Sequence, residues 1–471
     1  MKWNFDYSQT LWMKMYLAEP EDFSRGISKV FITFEQALDI IKAIDAMTQG
    51  IRKIVYLVGW QGLGHDDCYP EMEVVNEALK RDCDATARDS LWWLFGEAKR
   101  YNTVVSFHVN QADAYSDTPC FPELAATNSL ANGKDGKPAV IEVFNGRDAY
   151  KVSYKGYYES GLFKRNWDRF CEATPVREAG TVHLDNFCIA QSLNPYTSVE
   201  EEDEARNQML DYIASMGIDV TSEYTYRELE WRADSPEHPI RRQLYASAVD
   251  PVPEGDWRDA PMRTLGRIPA TWWTSNVTAQ ECMQIPVSLY SGRLTDQKEK
   301  AAFYGAMHGE EIWLEHGNDP ADWKAAFLFE FCTMQLPYFY LNRHERLRLE
   351  ERDDAYIVSF SDGVVSDGRT RTITVDGVAV KEGDDVLLPL DMQNTTFIAY
   401  SKNGRNGEWN IPDATFSEAA VFEITPAGNV PCGTVQISDG KVRLNVPADQ
   451  AFVLRANGTA PAKQAQEENE N

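Results

Sequence analysis

Residues 30–60, VFITFEQALDIIKAIDAMTQGIRKIVYLVGW, contain a whole strand–helix–strand unit. The apolar, β-branched run 30–34 has strand character. Ala37, Ile40, Ile41 and Ile44 then recur at helical spacing, and Gly50 is placed to end the helix. The run 53–60 is apolar again and follows after a very short link. Two strands joined through a helix on so short a tether pair in parallel, because each return needs a crossover.

The unit repeats. A helical pattern around 84–100 carries Leu91, Trp92, Leu94, Phe95 and Ala98, and TVVSFHVN (103–110) is the next strand. A long polar excursion with the turn cluster NGKDGKP (132–138) leads to AVIEVF (139–144). A helix near 157–173 precedes the strand TVHLDNF (181–187), and an acidic helix over 198–217 precedes 218–224. IPATWW (268–273) is a seventh strand, and the eighth lies at 285–290 or near 311–315. Seven or eight such units in about 320 residues fit a (β/α)8 TIM barrel better than an open doubly wound sheet. No glycine-rich phosphate loop follows the first strands, which argues against a nucleotide site.

After about residue 345 the texture changes to period-two alternation with Asp-Gly turns at 362–363, 367–368 and 376–377. The expected organisation is therefore α/β: a (β/α)8 barrel over 1–343, a C-terminal all-β sandwich over 344–457, and a disordered polar tail over 458–471. At 471 residues the chain is long enough for two cores.

The net charge of −27 opposes a nucleic-acid groove, which needs clustered Lys and Arg, and disfavours an anionic membrane surface. No apolar run is long enough to span a bilayer. The N-terminus lacks the basic start, apolar run and small-residue cleavage site of a signal peptide, so a cytoplasmic protein is expected. Eight scattered cysteines without a CxxC pair suggest buried free thiols, with neither a zinc ribbon nor a disulfide framework.

In a barrel the reactive face lies at the C-terminal ends of the strands. Those ends carry Gln61, His65 and Asp66 after the second strand, His108 and Asn110 on the third, Asp185, Glu223, and the pair Trp272-Trp273. Asp185 and Glu223 come from consecutive units. Two carboxylates facing one bond are what glycoside hydrolysis needs, and in a retaining mechanism they stand about 5–5.5 Å apart. The indoles, Trp60 among them, suit apolar sugar faces, whereas Trp92 and Trp93 read as core. Asp185 taken alone also fits a cap for the following helix. Two further readings stay open. His65, Asp66, His108, His183 and Asp185 include residue types for a metal-dependent hydrolase of amidohydrolase type. The same rim also suits a sugar-binding barrel without turnover.

The segments YLVGWQGLGHDD, NTVVSFHVN, the strand ending in Asp185 and DVTSE resemble the catalytic barrel of glycoside hydrolase family 101, the endo-α-N-acetylgalactosaminidases. They are also similar to the family 129 α-N-acetylgalactosaminidases. The resemblance covers roughly residues 25–340. It implies Asp185 as nucleophile, Glu223 as acid/base, and Asp66 and His108 as sugar contacts, with His65, Asn110, Gln61, Trp272 and Trp273 as further substrate-binding positions. It implies a retaining mechanism on α-linked N-acetylgalactosamine, with no metal or organic cofactor and a carbohydrate partner. The related α-galactosidase activity stays open as an alternative.

Overall fold

The computed structural model describes residues 4–6, 9–144, 146–185, 187, 189–222, 227–231, 240–245, 320–341, 343–344, 346–352 and 355–456. Its N-terminal half is built on a five-stranded parallel sheet. The strands are β1 (Leu11–Tyr16), β2 (Lys53–Val58), β3 (Thr103–Asn110), β4 (Thr181–Asp185) and β5 (Asp219–Ser222). They lie side by side in chain order. An open doubly wound sheet reverses its order at a switch point, and no reversal occurs among these five. The remaining expected strands, at 268–273 and at 285–290 or 311–315, lie outside the described residues.

The first strand is not the expected one. Val30 closes a short antiparallel hairpin, Ala18–Asp22 with Ile27–Val30. Thr33 is already the N-cap of helix α1 (Phe34–Met47), in a capping box with Gln36. The strand position is taken by LWMKMY, whose first five residues are buried. That run lacks alternation because a parallel strand is covered on both faces. AVIEVF is likewise displaced. Its residues Val140–Phe144 join Asp113–Tyr115 and Arg147–Lys151 in a separate three-stranded antiparallel sheet.

The intervening helices are α2 (Ala87–Ala98), α3 (Leu162–Ala173) and α4 (Val199–Ser215), each laying an apolar stripe on the sheet. Trp92 is an exception to the expected core, at 39% exposure, and Trp93 is partly buried beneath the Arg81 guanidinium. The acidic start of α4 is not wholly solvated either. Glu202 is buried and accepts from Ser153 Oγ at 2.7 Å, and buried Asp203 pairs with Arg206 at 2.9 Å. No described helix is long and apolar enough to cross a membrane.

From Arg346 to Ala456 the chain forms a large antiparallel sheet. Its central strands alternate between two cores. Val386, Leu388, Ile398, Tyr400 and Val453 face the core shared with the N-terminal half. Leu387, Phe397, Ala399 and Leu454 face a second core with Trp409, Val442 and Leu444. Gln49, just past α1, ties the halves together. Its amide bonds Asn429 in both directions, and its Oε1 also accepts from Arg455 at 2.6 Å.

Candidate active site

Charged groups divide along the parallel sheet. At the N-terminal strand ends, Lys53 pairs with Asp45 at 2.7 Å, a buried pair that fastens β2 to α1. At the C-terminal ends, polar side chains gather around Asp185.

The β2 end is shaped by close backbone approach. Gly59 and Gly64 have positive φ, +72° and +136°, and a Cβ on either would collide with the backbone of Ala18 or Glu19. The loop can therefore lie against the 18–30 hairpin, and His65 N–H donates to Ala18 O at 2.8 Å. This contact carries His65 and Asp66 to the rim. His65 Nδ1 is 3.4 Å from Asp66 Oδ2. Arg147 holds the same loop from the other side. It donates to Asp66 O at 2.5 Å and pairs with Asp67 at 3.4 Å and Asp117 at 3.1 Å. Its guanidinium lies over the rings of Phe23 and Tyr115.

Strand register does the rest. His108 pairs with His183, and Asn110 with Asp185. Thr221 on β5 is the partner of His183 on the other side. The His108 and His183 rings stack at 5.5 Å, and His65 lies 5.6 Å from His108. His108 Nε2 and Asn110 Nδ2 each lie 3.5 Å from the same Asp185 oxygen, Oδ2. The helix after β4 is capped by Ser198, so Asp185 serves no cap there.

The electrostatics follow from burial. Burial, with His108 and Lys14 nearby, lowers the pKa of His65 to about 3, and Asp185 only partly opposes this. His108 is lowered to about 4 by burial and then by Lys14, again against Asp185. His183 is pushed well below its usual value by burial, Lys14 and His108. All three imidazoles are neutral at pH 7. Asp66 moves the other way: burial, then the Asp185 and Asp113 charges, raise it well above the usual carboxylate range. Tyr69 is raised by burial and then by Asp66 and Asp185.

Five of the sequence-derived site residues thus meet at one place: Asp185, Asp66, His65, His108 and Asn110. Gln61 is close by but serves the loop, with its Nε2 donating to Gly64 O and Asp67 O. Glu223, Trp272 and Trp273 lie outside the described residues. Trp60 is not a sugar platform. It is fully buried against Phe107 and Phe170, and its Nε1 donates to His108 O at 3.2 Å. Sequence reasoning missed Lys14, Asp113, Arg147 and Lys151. Lys14 had a signal, a lysine between apolar neighbours in LWMKMY. The other three sit in the polar excursion, where no spacing marks them.

Asp66 Oδ1, Gln61 Oε1 and both ring nitrogens of His108 are buried polar atoms with no hydrogen-bond partner among the described residues. Such atoms cost about 1–3 kcal/mol each unless a ligand or water meets them. A polyhydroxylated ligand supplies matching groups. The donor atoms of His65, His108 and Asp185 also lie within 4.8 Å of one another, close enough to share an ion. Three donors fall one short of a closed tetrahedral set.

Residues 26–235 match the family model described as endo-alpha-N-acetylgalactosaminidase. A Renibacterium salmoninarum protein named, by inference, an endo-alpha-N-acetylgalactosaminidase is 27% identical over 158 residues, 29% of this chain and 10% of that protein. Among solved structures, ligand-free α-N-acetylgalactosaminidase NagBb from Bifidobacterium bifidum is 14% identical at a TM-score of 0.46, covering 78% of this chain and 57% of that one. An α-galactosidase from Geobacillus stearothermophilus is 10% identical at a TM-score of 0.39, covering 90% of this chain and 53% of that one. The chain thus spans 10% of the curated relative and 57% of NagBb. Over the segment that holds Asp66, His108 and Asp185, this chain is similar to the endo-α-N-acetylgalactosaminidase family of glycoside hydrolases.

Proposed function

We propose that this protein is a glycoside hydrolase that cleaves α-linked N-acetylgalactosamine, or the disaccharide Galβ1-3GalNAc, from O-glycans or glycopeptides with retention of configuration. The observation that carries the reading is the convergence of three strand ends on one carboxylate, Asp185, inside the segment that matches the family. In the first step Asp185 attacks the anomeric carbon and Glu223 protonates the departing oxygen. In the second, Glu223 takes a proton from water, which displaces Asp185. Register supports the pairing. Thr221 is the partner of His183. Glu223 follows Thr221 by two residues, just as Asp185 follows His183. Protonated Asp66 is a donor to a sugar hydroxyl, and neutral His108 is a donor to Asp185. In this reading the five parallel strands belong to a (β/α)8 barrel over 1–343, with the sheet of 344–457 as a second domain, and the protein works in the cytoplasm.

The test uses wild type, Asp185→Asn and Glu223→Gln with aryl α-N-acetylgalactosaminide, aryl α-galactoside and the aryl disaccharide. NMR of the first-formed anomer reads retention, and azide is expected to rescue Glu223→Gln. A wild type inert on all three would overturn the N-acetylgalactosamine assignment. A second reading, a metal-dependent hydrolase, is favoured by the His65, His108 and Asp185 donors. Loss of activity in EDTA, with both carboxylate variants still active, would replace the first reading with the second.

A further inference from the structure

The polar excursion between β3 and β4 does more than bridge them. Its strands 113–115 and 147–151 pair antiparallel, with Asp113 directly opposite Lys151. Both side chains are buried, and Lys151 Nζ donates to Asp113 Oδ1. The other oxygen, Asp113 Oδ2, accepts from Asn110 Nδ2 at 2.6 Å. Asn110 Oδ1 in turn accepts from the backbone N–H groups of Ala112 at 2.7 Å and Asp113 at 3.0 Å. Two donors on one side and a carboxylate on the other leave the amide a single orientation. In that orientation Nδ2 also faces Asp185 Oδ2.

We propose that Asp113 and Lys151 are positioning residues for Asp185, fixing the Asn110 amide so that its N–H faces Asp185 Oδ2. The proposal rests on the reading of Asp185 as the reacting carboxylate. Lys151 is needed because Asp113 and Asp185 share one amide. A second buried carboxylate there, left without a cation, would be costly to bury. The Lys151 ammonium pairs with Asp113 Oδ1, and Asp113 Oδ2 holds Asn110 by a charge-assisted bond. The effect at Asp185 is directional. Asn110 and His108 both approach Oδ2, which fixes the rotation of the carboxylate about its own axis and so the line along which it meets an anomeric carbon.

The experiment compares wild type, Asp113→Asn, the charge-free double variant Asp113→Leu/Lys151→Met, Asn110→Ala, and the triple combination on aryl α-N-acetylgalactosaminide. The double variant is included because a buried pair replaced by apolar groups commonly keeps the fold, whereas one orphaned charge often does not. Thermal melts confirm folding. The expected result is a fall in kcat of about 10- to 100-fold with KM within about threefold of wild type. The triple variant is expected to lose no more than Asn110→Ala, because the three residues act as one unit. A folded double variant with wild-type kcat, or losses that simply multiply, would overturn the proposal. A crystal structure of the double variant supplies a readout that needs no turnover. Asn110 Nδ2 is expected to leave Asp185 Oδ2, and an unmoved amide would overturn the positioning role. If wild type does not hydrolyse this substrate, the N-acetylgalactosamine reading fails, while the position of that amide still decides the structural claim.

Discussion

His108 Nε2 lies 3.5 Å from Asp185 Oδ2, and its ring stacks on that of His183. Because burial and Lys14 hold His108 neutral, it faces the carboxylate as a neutral ring with an N–H to offer and not as a counter-ion. Removing the donor is therefore expected to lower turnover without removing a charge. His108→Phe should reduce kcat on aryl α-N-acetylgalactosaminide by about 10²-fold, the scale for losing one preorganised donor at a reacting centre. His108→Gln, which keeps an N–H, should retain more. Equal losses in the two variants would show that the ring's packing matters and its N–H does not.

Asp66 gives a sharper contrast. Burial and the Asp185 and Asp113 charges raise its carboxyl well above the usual range and so favour the protonated form. A protonated carboxyl and a carboxamide have nearly the same shape and both can donate. Asp66→Asn should keep kcat/KM within about tenfold of wild type, while Asp66→Ala should lose about 100-fold, close to the 1–3 kcal/mol of an unmet buried partner. Steady-state kinetics at pH 7 decide between them. An Asn variant as damaged as the Ala variant would mean that Asp66 works as an anion.

Both arguments use positions that the sequence made visible, and the reason is strand geometry. His108, Asn110 and Asp185 stand at the C-terminal ends of short apolar runs, and a polar residue there is conspicuous. The parallel architecture was legible for the same reason, since β2, β3 and β4 are buried on both faces and read as apolar blocks. β1 was not legible, because Lys14 interrupts its apolar run and a strand covered on both faces shows no alternation. Asp113, Arg147 and Lys151 could not be found either. They act through antiparallel pairing inside a polar segment, and Asp113 meets Lys151 across 38 positions of chain. The register that joins them follows from how the excursion folds back on β3.

The buried imidazoles also shape stability. For His65 and His108 the folded-state values, about 3 and about 4, lie below the ordinary 6.5. Between these limits the unfolded chain binds more protons than the folded one, so stability rises with pH. Their contribution is complete above about pH 6.5 and is lost progressively as pH falls toward 4. Asp66, raised, works in the opposite sense: it favours the fold below about pH 4 and loses that contribution as pH rises. Thermal melts from pH 7 to pH 4.5 should show Tm falling with pH, and the double variant His65→Asn/His108→Gln should show a shallower fall. An unchanged slope would place the acid sensitivity elsewhere.

Arg147 provides the last test, because it secures the loop that carries His65 and Asp66 through the Asp66 carbonyl and the Asp67 carboxylate. Its guanidinium is flat, lies over Phe23 and Tyr115, and reaches Asp66 O, Asp67 and Asp117 at once. Lysine keeps the charge but has neither the plane nor the fork. Arg147→Lys is therefore expected to behave almost like Arg147→Ala. Both should lower kcat/KM by about 10-fold or more, as misplaced binding groups do, and both should speed proteolytic cleavage between residues 61 and 68. A lysine variant with wild-type kinetics and an equally resistant loop would reduce Arg147 to a point charge. If the loop were cleaved faster and kinetics stayed unchanged, His65 and Asp66 would not need the loop held, and their place in the candidate site would fall.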